Sequence, residues 1–155
     1  MNVSIVRAGR EDLGEILKLQ YLAYRSEAAR FNDYNIQPLT ETLEELEEEF
    51  DRGVVLKMTG EDGGLIGSVR AYLKDGTAYI GKLMVDPAHQ HRGYGSMLIR
   101  AVEDCYPCVR YELFTSTRSI ENIRLYEKLG YRIFDRRAVT EEIIFVYLEK
   151  KGEAL

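Results

Sequence analysis

Hydrophobic and polar positions change period several times along this chain, and each change marks an element. Val3, Ser4, Ile5, Val6 and Arg7 form a short, β-branched run that predicts a first strand. Past Gly9, Leu13, Ile16, Leu17, Tyr21 and Tyr24 recur at helical spacing and predict an amphipathic helix. Residues 32–37 read as a loop, and Pro38 breaks the backbone. Thr40 or Thr42 then caps a second helix. Thr42-x-x-Glu45 matches a capping box, and Leu43, Leu46 and Phe50 give a narrow apolar stripe.

From residue 54 the strand signals dominate. Residues 54–58 and 65–73 predict two strands joined by the glycine-rich hairpin loop 60–64. Asp75-Gly76 turns the chain into a third strand, 78–85. Helical spacing then returns, with Met97, Leu98, Ala101, Val102 and Cys105 as the expected buried face. Residues 109–115 predict a strand. Ser119 caps a helix that runs to Leu129 and stops at Gly130. Residues 131–134 and 143–148 close the sheet. The order β-α-α-β-β-β-α-β-α-β-β predicts an α/β fold around one mixed sheet. Its 155 residues suffice for one domain, residues 1–155, with a proper core.

The most informative junction lies between the third strand and the helix after it. The apolar run stops at Asp86-Pro87, and Gln90-x-x-Gly93-x-Gly95 leads straight into the helix. A helix start presents free backbone N–H groups and the positive end of its dipole, which together make an anion site. Glycines there let the backbone approach a phosphate without an intervening Cβ. The spacing matches neither a Walker loop nor a dinucleotide-binding fingerprint, and glycines serving only as turn residues are the plain alternative.

A second motif, Asn122-Ile123-Arg124-Leu125-Tyr126-Glu127-Lys128-Leu129-Gly130-Tyr131, follows by one helix and one strand. In this order the two motifs resemble the GNAT superfamily of N-acetyltransferases. The resemblance spans residues 3–148 in element order, and its specific motifs lie within residues 83–131. It implies a GNAT-like acyl-CoA N-acyltransferase fold: a mixed, mostly antiparallel sheet of about seven strands flanked by four helices. It also implies acetyl-CoA as co-substrate, an amine acceptor and a homodimer. Gln90, His91, Arg92, Gly93, Tyr94, Gly95 and Ser96 take the place of the pyrophosphate cradle. Leu83, Met84 and Val85 take that of the strand edge pairing with pantetheine, the Val85 N–H being the oxyanion donor. Tyr126 matches the family's general acid. The family more often has asparagine at the place of Ser119 and an apolar residue at Asn122, so the polar cofactor contact lies between these two.

The general base has no matching residue. Family members often carry a glutamate on the strand before the cradle, where this chain has Tyr79 and Gly81. Glu112 is the best remaining carboxylate, with a plain surface role as its rival. Lys82 would serve only with a depressed pKa. Glu27 and Asp33 lie near the expected acceptor wall, and a water chain would need no side chain at all. His89 and His91 read as exposed loop residues.

Charge refines the picture. Glu41, Glu44, Glu45, Glu47, Glu48, Glu49 and Asp51 outweigh the whole net charge of −5, so the rest of the chain is mildly basic. Charge runs of this kind usually form a solvated helix face, although an acidic rim would also concentrate amines. There is no nucleic-acid footprint, no apolar run of membrane-span length and no signal-peptide pattern, so the expected location is the cytoplasm. Cys105-Tyr106-Pro107-Cys108 sits between a helix and a strand, the reverse of a redox motif, and lacks a second pair for zinc. No metal is expected.

Acetyl transfer from acetyl-CoA to a primary amine of a small molecule or protein, without an acyl-enzyme, fits these features best. A non-catalytic acyl-CoA-binding module on the same fold is the nearest rival, and a dithiol redox protein the more distant one.

Overall fold

A computed structural model describes residues 2–31, 36–107 and 109–152. The expected loop residues 32–35, including Asp33, and Cys108 of the cysteine pair lie outside the described residues. Among the described residues, seven strands form one sheet in the order β1-β2-β3-β4-β5-β7-β6. They are β1 (Ser4–Arg7), β2 (Val54–Thr59), β3 (Leu65–Lys74), β4 (Thr77–Val85), β5 (Arg110–Ser116), β6 (Arg132–Ala138) and β7 (Ile144–Lys151). The helices are α1 (Leu13–Phe31), α2 (Gln37–Thr40), α3 (Leu43–Arg52), α4 (Tyr94–Asp104) and α5 (Ile120–Lys128). Neighbouring strands run antiparallel except β4 and β5, which are parallel.

Alternation along the strands divides the core into two layers. Val54, Leu56 and Met58 face a cluster with Leu98, Ile99 and Val102 of α4 and Tyr126 of α5. Val55 and Met84 face the other way, against Leu13, Ile16 and Leu17 of α1 and Leu46 of α3. On β5, Leu113 enters the α4/α5 layer, so Phe114 emerges on the α1/α3 side, where it is half exposed. There Phe114 packs against Phe145 and Tyr147, with ring centroids 4.9 and 5.4 Å apart.

Several expectations are corrected. Pro38 does not break the chain. It sits in the first turn of α2, where a missing N–H costs no intrahelical bond. On α4, Tyr94 and Ile99 join Leu98 and Val102 in the core, while Met97 is 40% exposed. The buried stripe is therefore turned toward Ile99, one residue step around the helix. β6 continues to Ala138, because an edge strand can carry Arg136 and Arg137 without burying them. The capping box of α3 forms as expected: Glu45 N–H donates to Thr42 Oγ1 at 3.2 Å, and Thr42 N–H donates to Glu45 Oε1 at 2.9 Å.

Candidate functional site

The sheet opens in its middle. β4 and β5 pair at Thr77–Arg110, Ala78–Tyr111 and Tyr79–Glu112, and part beyond that point. A bulge shapes the departing strand. Ser68 lies opposite Met84 but Arg70 lies opposite Gly81, so β4 carries one extra residue, and Lys82 takes φ +52° there. Asp86 N–H donates to Ile66 O at 2.7 Å, which makes Ile66 and Asp86 a hydrogen-bonded antiparallel pair. By alternation Met84 also turns its backbone toward β3. Leu83 and Val85 turn theirs to the open side. The expected edge is thus offered by two of the three residues, and Met84 contributes a buried side chain.

At the mouth of this cleft lies the start of α4. Gly93 has φ +81°, a left-handed conformation that costs glycine nothing. The N–H groups of Tyr94, Gly95 and Ser96 occupy the first turn, where no intrahelical acceptor exists. Gln90, His91 and Arg92 are exposed beside them, and His91 also has positive φ. Gly95 has a second reason to be glycine. A Cβ there would lie 3.2 Å from Leu125 Cδ2 and 3.8 Å from Leu83 Cδ2, so it points toward α5 and β4. The missing Cβ therefore bears on internal packing as well as on the approach of a phosphate.

Tyr126 is buried on α5, its ring 6.1 Å from that of Tyr131. Burial, with the Glu27 carboxylate nearby, pushes its hydroxyl well above the ordinary phenol range. It therefore keeps its proton throughout the neutral range. Tyr24 of α1 is raised in the same way, and its hydroxyl donates to Leu83 O at 3.2 Å. Ser119 does not cap α5 with its side chain. Its hydroxyl donates instead to Glu27 Oε1 at 2.5 Å, tying α1 to the start of α5. Asn122 lies one turn before Tyr126, half buried. Glu112 is held by Arg110 Nη1 at 2.8 Å and so belongs to a charge pair. His89 is half buried, with Nδ1 unpartnered, rather than exposed.

Next to the bulge is a buried polar cluster drawn from distant segments. Arg70 is 5% exposed and Glu41 2%. Arg70 Nη1 donates to Glu41 Oε1 at 2.9 Å and also to Glu49, while Nη2 donates to Gln20. Gln20 Nε2 donates to Glu41 Oε1 at 3.0 Å and to Pro38 O at 2.8 Å. Burial raises the Glu41 carboxyl, but the Arg70 charge, the Gln20 bond and Lys82 outweigh it and hold the group below its usual range. The acidic run is therefore only partly a solvated face. Glu44 and Glu48 are exposed, whereas Glu41 and Glu49 balance a buried arginine. An acidic groove of about 510 Å³ opens along α2 and α3, lined by Gln37, Glu41, Glu45, Glu48, Glu49, Asp51 and Arg52.

Two members of this cluster left a trace in the sequence. Gln20 interrupts the apolar face of α1, and Arg70 sits inside the apolar run 65–73. A polar group at a core position calls for a partner. Among the described residues no three His, Cys, Asp or Glu side chains are grouped to hold a metal, and no helix is long and apolar enough to cross a membrane.

Known proteins share this fold. The PaiA N-acetyltransferase from Thermoplasma acidophilum, solved in complex with coenzyme A, superposes with a TM-score of 0.81 at 19% identity, covering 97% of this chain and 99% of that one. The ribosomal-protein-S18-alanine N-acetyltransferase from Escherichia coli gives 0.80 at 14% identity, covering 99% and 96%. At these identities the likeness is one of fold. An uncharacterized N-acetyltransferase in the lysA 3′ region of Bacillus methanolicus is 32% identical over 77 residues. That stretch covers 49% of this chain and 62% of that relative, less than two thirds of its length. The sequence profile of the acetyltransferase (GNAT) family matches residues 12–131, and a match over that share of the chain, on this fold, places the protein in the GNAT family.

Proposed function

We propose that this protein transfers the acetyl group of acetyl-CoA directly to a primary amine of a small molecule or protein. The observation that carries the reading is the opening between β4 and β5. The Leu83 and Val85 backbones turn toward it, the N–H groups that start α4 stand at its mouth, and Tyr126 is buried near Tyr24, whose hydroxyl donates to Leu83 O. The diphosphate would lie against the α4 N-terminus, held by Tyr94, Gly95 and Ser96 N–H, with Gln90, His91 and Arg92 at the rim. Pantetheine would extend along Leu83 and Val85 as an added strand. The polar contact near its far end falls to Asn122, because the Ser119 hydroxyl is already committed to Glu27.

Transfer needs a donor for the oxygen that becomes negative as the amine adds. A Leu83 or Val85 N–H turned into the cleft supplies one without reorganisation. It also needs a proton for the departing sulfur, which Tyr126 retains at working pH. The reading includes a cytoplasmic setting.

The test is release of CoA thiol from acetyl-CoA across a panel of diamines, amino acids and peptides, with the acetylated product identified by mass. Amine-dependent turnover is expected. Tight CoA binding without turnover on any amine would favour the acyl-CoA-binding module instead.

A further inference from the structure

The acetyl-transfer reading leaves the proton of the incoming amine without an acceptor. Most amines arrive as ammonium ions and must lose a proton before they attack. Glu112 is taken up by Arg110, and neither Tyr79 nor Gly81 is a carboxylate. Among the described residues, Lys82 is a titratable side chain beside the cleft that no ion pair or hydrogen bond commits.

Lys82 is the bulge residue of β4, immediately before Leu83, whose backbone faces the opening. Ile80 and Leu83 both face the α4 layer, so the extra residue between them sends Lys82 to the α1/α3 side. There it is half buried among charges from each element around it. Glu41 precedes α3, Glu45 and Glu49 come from α3, Arg70 from β3, and Tyr24 reaches the Leu83 carbonyl from α1. Yet Lys82 makes no ion pair or hydrogen bond among the described residues. The reason lies in its neighbours. Glu41 is saturated by Arg70, Gln20 and Gln37, and Glu49 is bonded to Arg70. Glu45 accepts from Thr42 instead, so Lys82 sits beside three carboxylates and is bonded to none of them.

We propose that Lys82 is the catalytic base that takes the proton from the acceptor amine. The assignment rests on the acetyl-transfer reading above. The bound ammonium gives one proton to the neutral Lys82 Nζ. The freed nitrogen lone pair adds to the thioester carbonyl carbon, and the C–S bond then breaks as Tyr126 protonates the leaving sulfur. Tyr126 recovers its proton from the nitrogen of the new amide, and Lys82 releases its own to solvent. The net change is ammonium plus thioester to amide, thiol and one proton. Burial is the main influence lowering the Lys82 ammonium from its usual range, and Arg70 adds to it, while Glu41, Glu49 and Glu45 oppose both. A base whose proton affinity is brought toward neutral pH is the kind that general-base catalysis favours.

The experiment is a pH profile of kcat/KM for the wild type, Lys82→Arg and Lys82→Gln, with CoA affinity and thermal melts measured alongside. Arginine keeps the charge and much of the stem but does not give up its proton. Both variants should lose about 10²–10⁴-fold in kcat/KM, the usual worth of general-base catalysis. They should also lose the limb on which activity rises with pH, while CoA affinity stays within about twofold. Glu45→Gln retains the capping box but removes a charge that favours the ammonium, so it should move that limb to lower pH. A purely structural Lys82 would change stability or KM and leave the limb in place. An active enzyme whose Lys82→Arg form retains the wild-type rate and limb overturns this assignment alone. A wild type that binds CoA yet acetylates no amine overturns the activity and the assignment together. NMR titration of labelled lysines supplies a readout independent of turnover: Lys82 should deprotonate at lower pH than the exposed lysines, and titration with them would overturn the proposal.

Discussion

Gly95 allows two explanations of one residue to be separated by measurement. If it is glycine so that a phosphate can approach, substitution should weaken CoA binding. If it is glycine because α4 passes close to α5 and β4, substitution should cost stability. The structure favours the second as the larger effect, since the added Cβ would point at Leu125 Cδ2, 3.2 Å away, and Leu83 Cδ2, 3.8 Å away. Leu125 Cδ2 is the end of a flexible side chain and can yield by a few tenths of an ångström. Alanine would recover up to about 1 kcal/mol of helix propensity. Overpacking a core typically costs about 1–3 kcal/mol. The balance for Gly95→Ala is a loss of about 1 kcal/mol, or about 2–4 °C in Tm for a chain of this size. Gly95→Val adds two methyl groups against the same neighbours and should lose about 3 kcal/mol. Thermal melts and calorimetric titration with CoA, each on both variants, read the two effects apart. A Gly95→Ala protein with unchanged Tm and a tenfold or greater loss of CoA affinity would refute the packing argument.

Other outcomes follow from the same geometry. Tyr126→Phe keeps the ring in its buried place and removes only the donor, so kcat should fall about 10²-fold with CoA affinity unchanged; a wild-type kcat under conditions where chemistry limits the rate would make Tyr126 a packing residue. Glu41 is held below its usual range when folded, so its share of stability is present above the unfolded carboxyl value, near pH 4.3, and is lost as pH falls through the lower folded value. Glu41→Gln should therefore be less stable near neutrality and flatter in its acid limb, as read from urea midpoints across pH. Leu98→Ala empties a fully buried position between α4 and the sheet and should cost about 2–5 kcal/mol in chemical unfolding without altering where CoA binds.

What could be read in the sequence follows from how local each signal is. The Gln90–Ser96 turn and the helix carrying Tyr126 each depend on residues close together in the chain, and both lie where their spacing puts them. The α3 capping box is equally local. The cluster of Gln20, Glu41, Arg70 and Lys82 is different in kind. Its members come from α1, the approach to α3, β3 and β4, and no periodicity relates them. Ser119 illustrates the same limit. Its cap position was legible, but its hydroxyl prefers a carboxylate 92 positions away to the backbone of its own helix. Glu112 is a carboxylate on the expected strand, but Arg110 two residues earlier shares its face and captures it, a pairing that strand position alone does not reveal.

The parting of β4 from β5 also bears on how the molecule holds together. Two half-sheets, β1–β4 and β5–β7–β6, meet along a short parallel seam, and the gap beyond it exposes a strand edge of the kind that recruits any extended chain. Local opening should therefore be easiest along this seam, and the Leu83 and Val85 amides should exchange their hydrogens faster than those of Met84, which are turned into the sheet. An extended ligand seated there would act as a missing strand joining the halves. At a concentration 100 times its dissociation constant it would add about 2.7 kcal/mol to the folded state, enough to raise the melting temperature by about 5–11 °C. Protection of those two amides on adding CoA would show the substrate completing the sheet that encloses it.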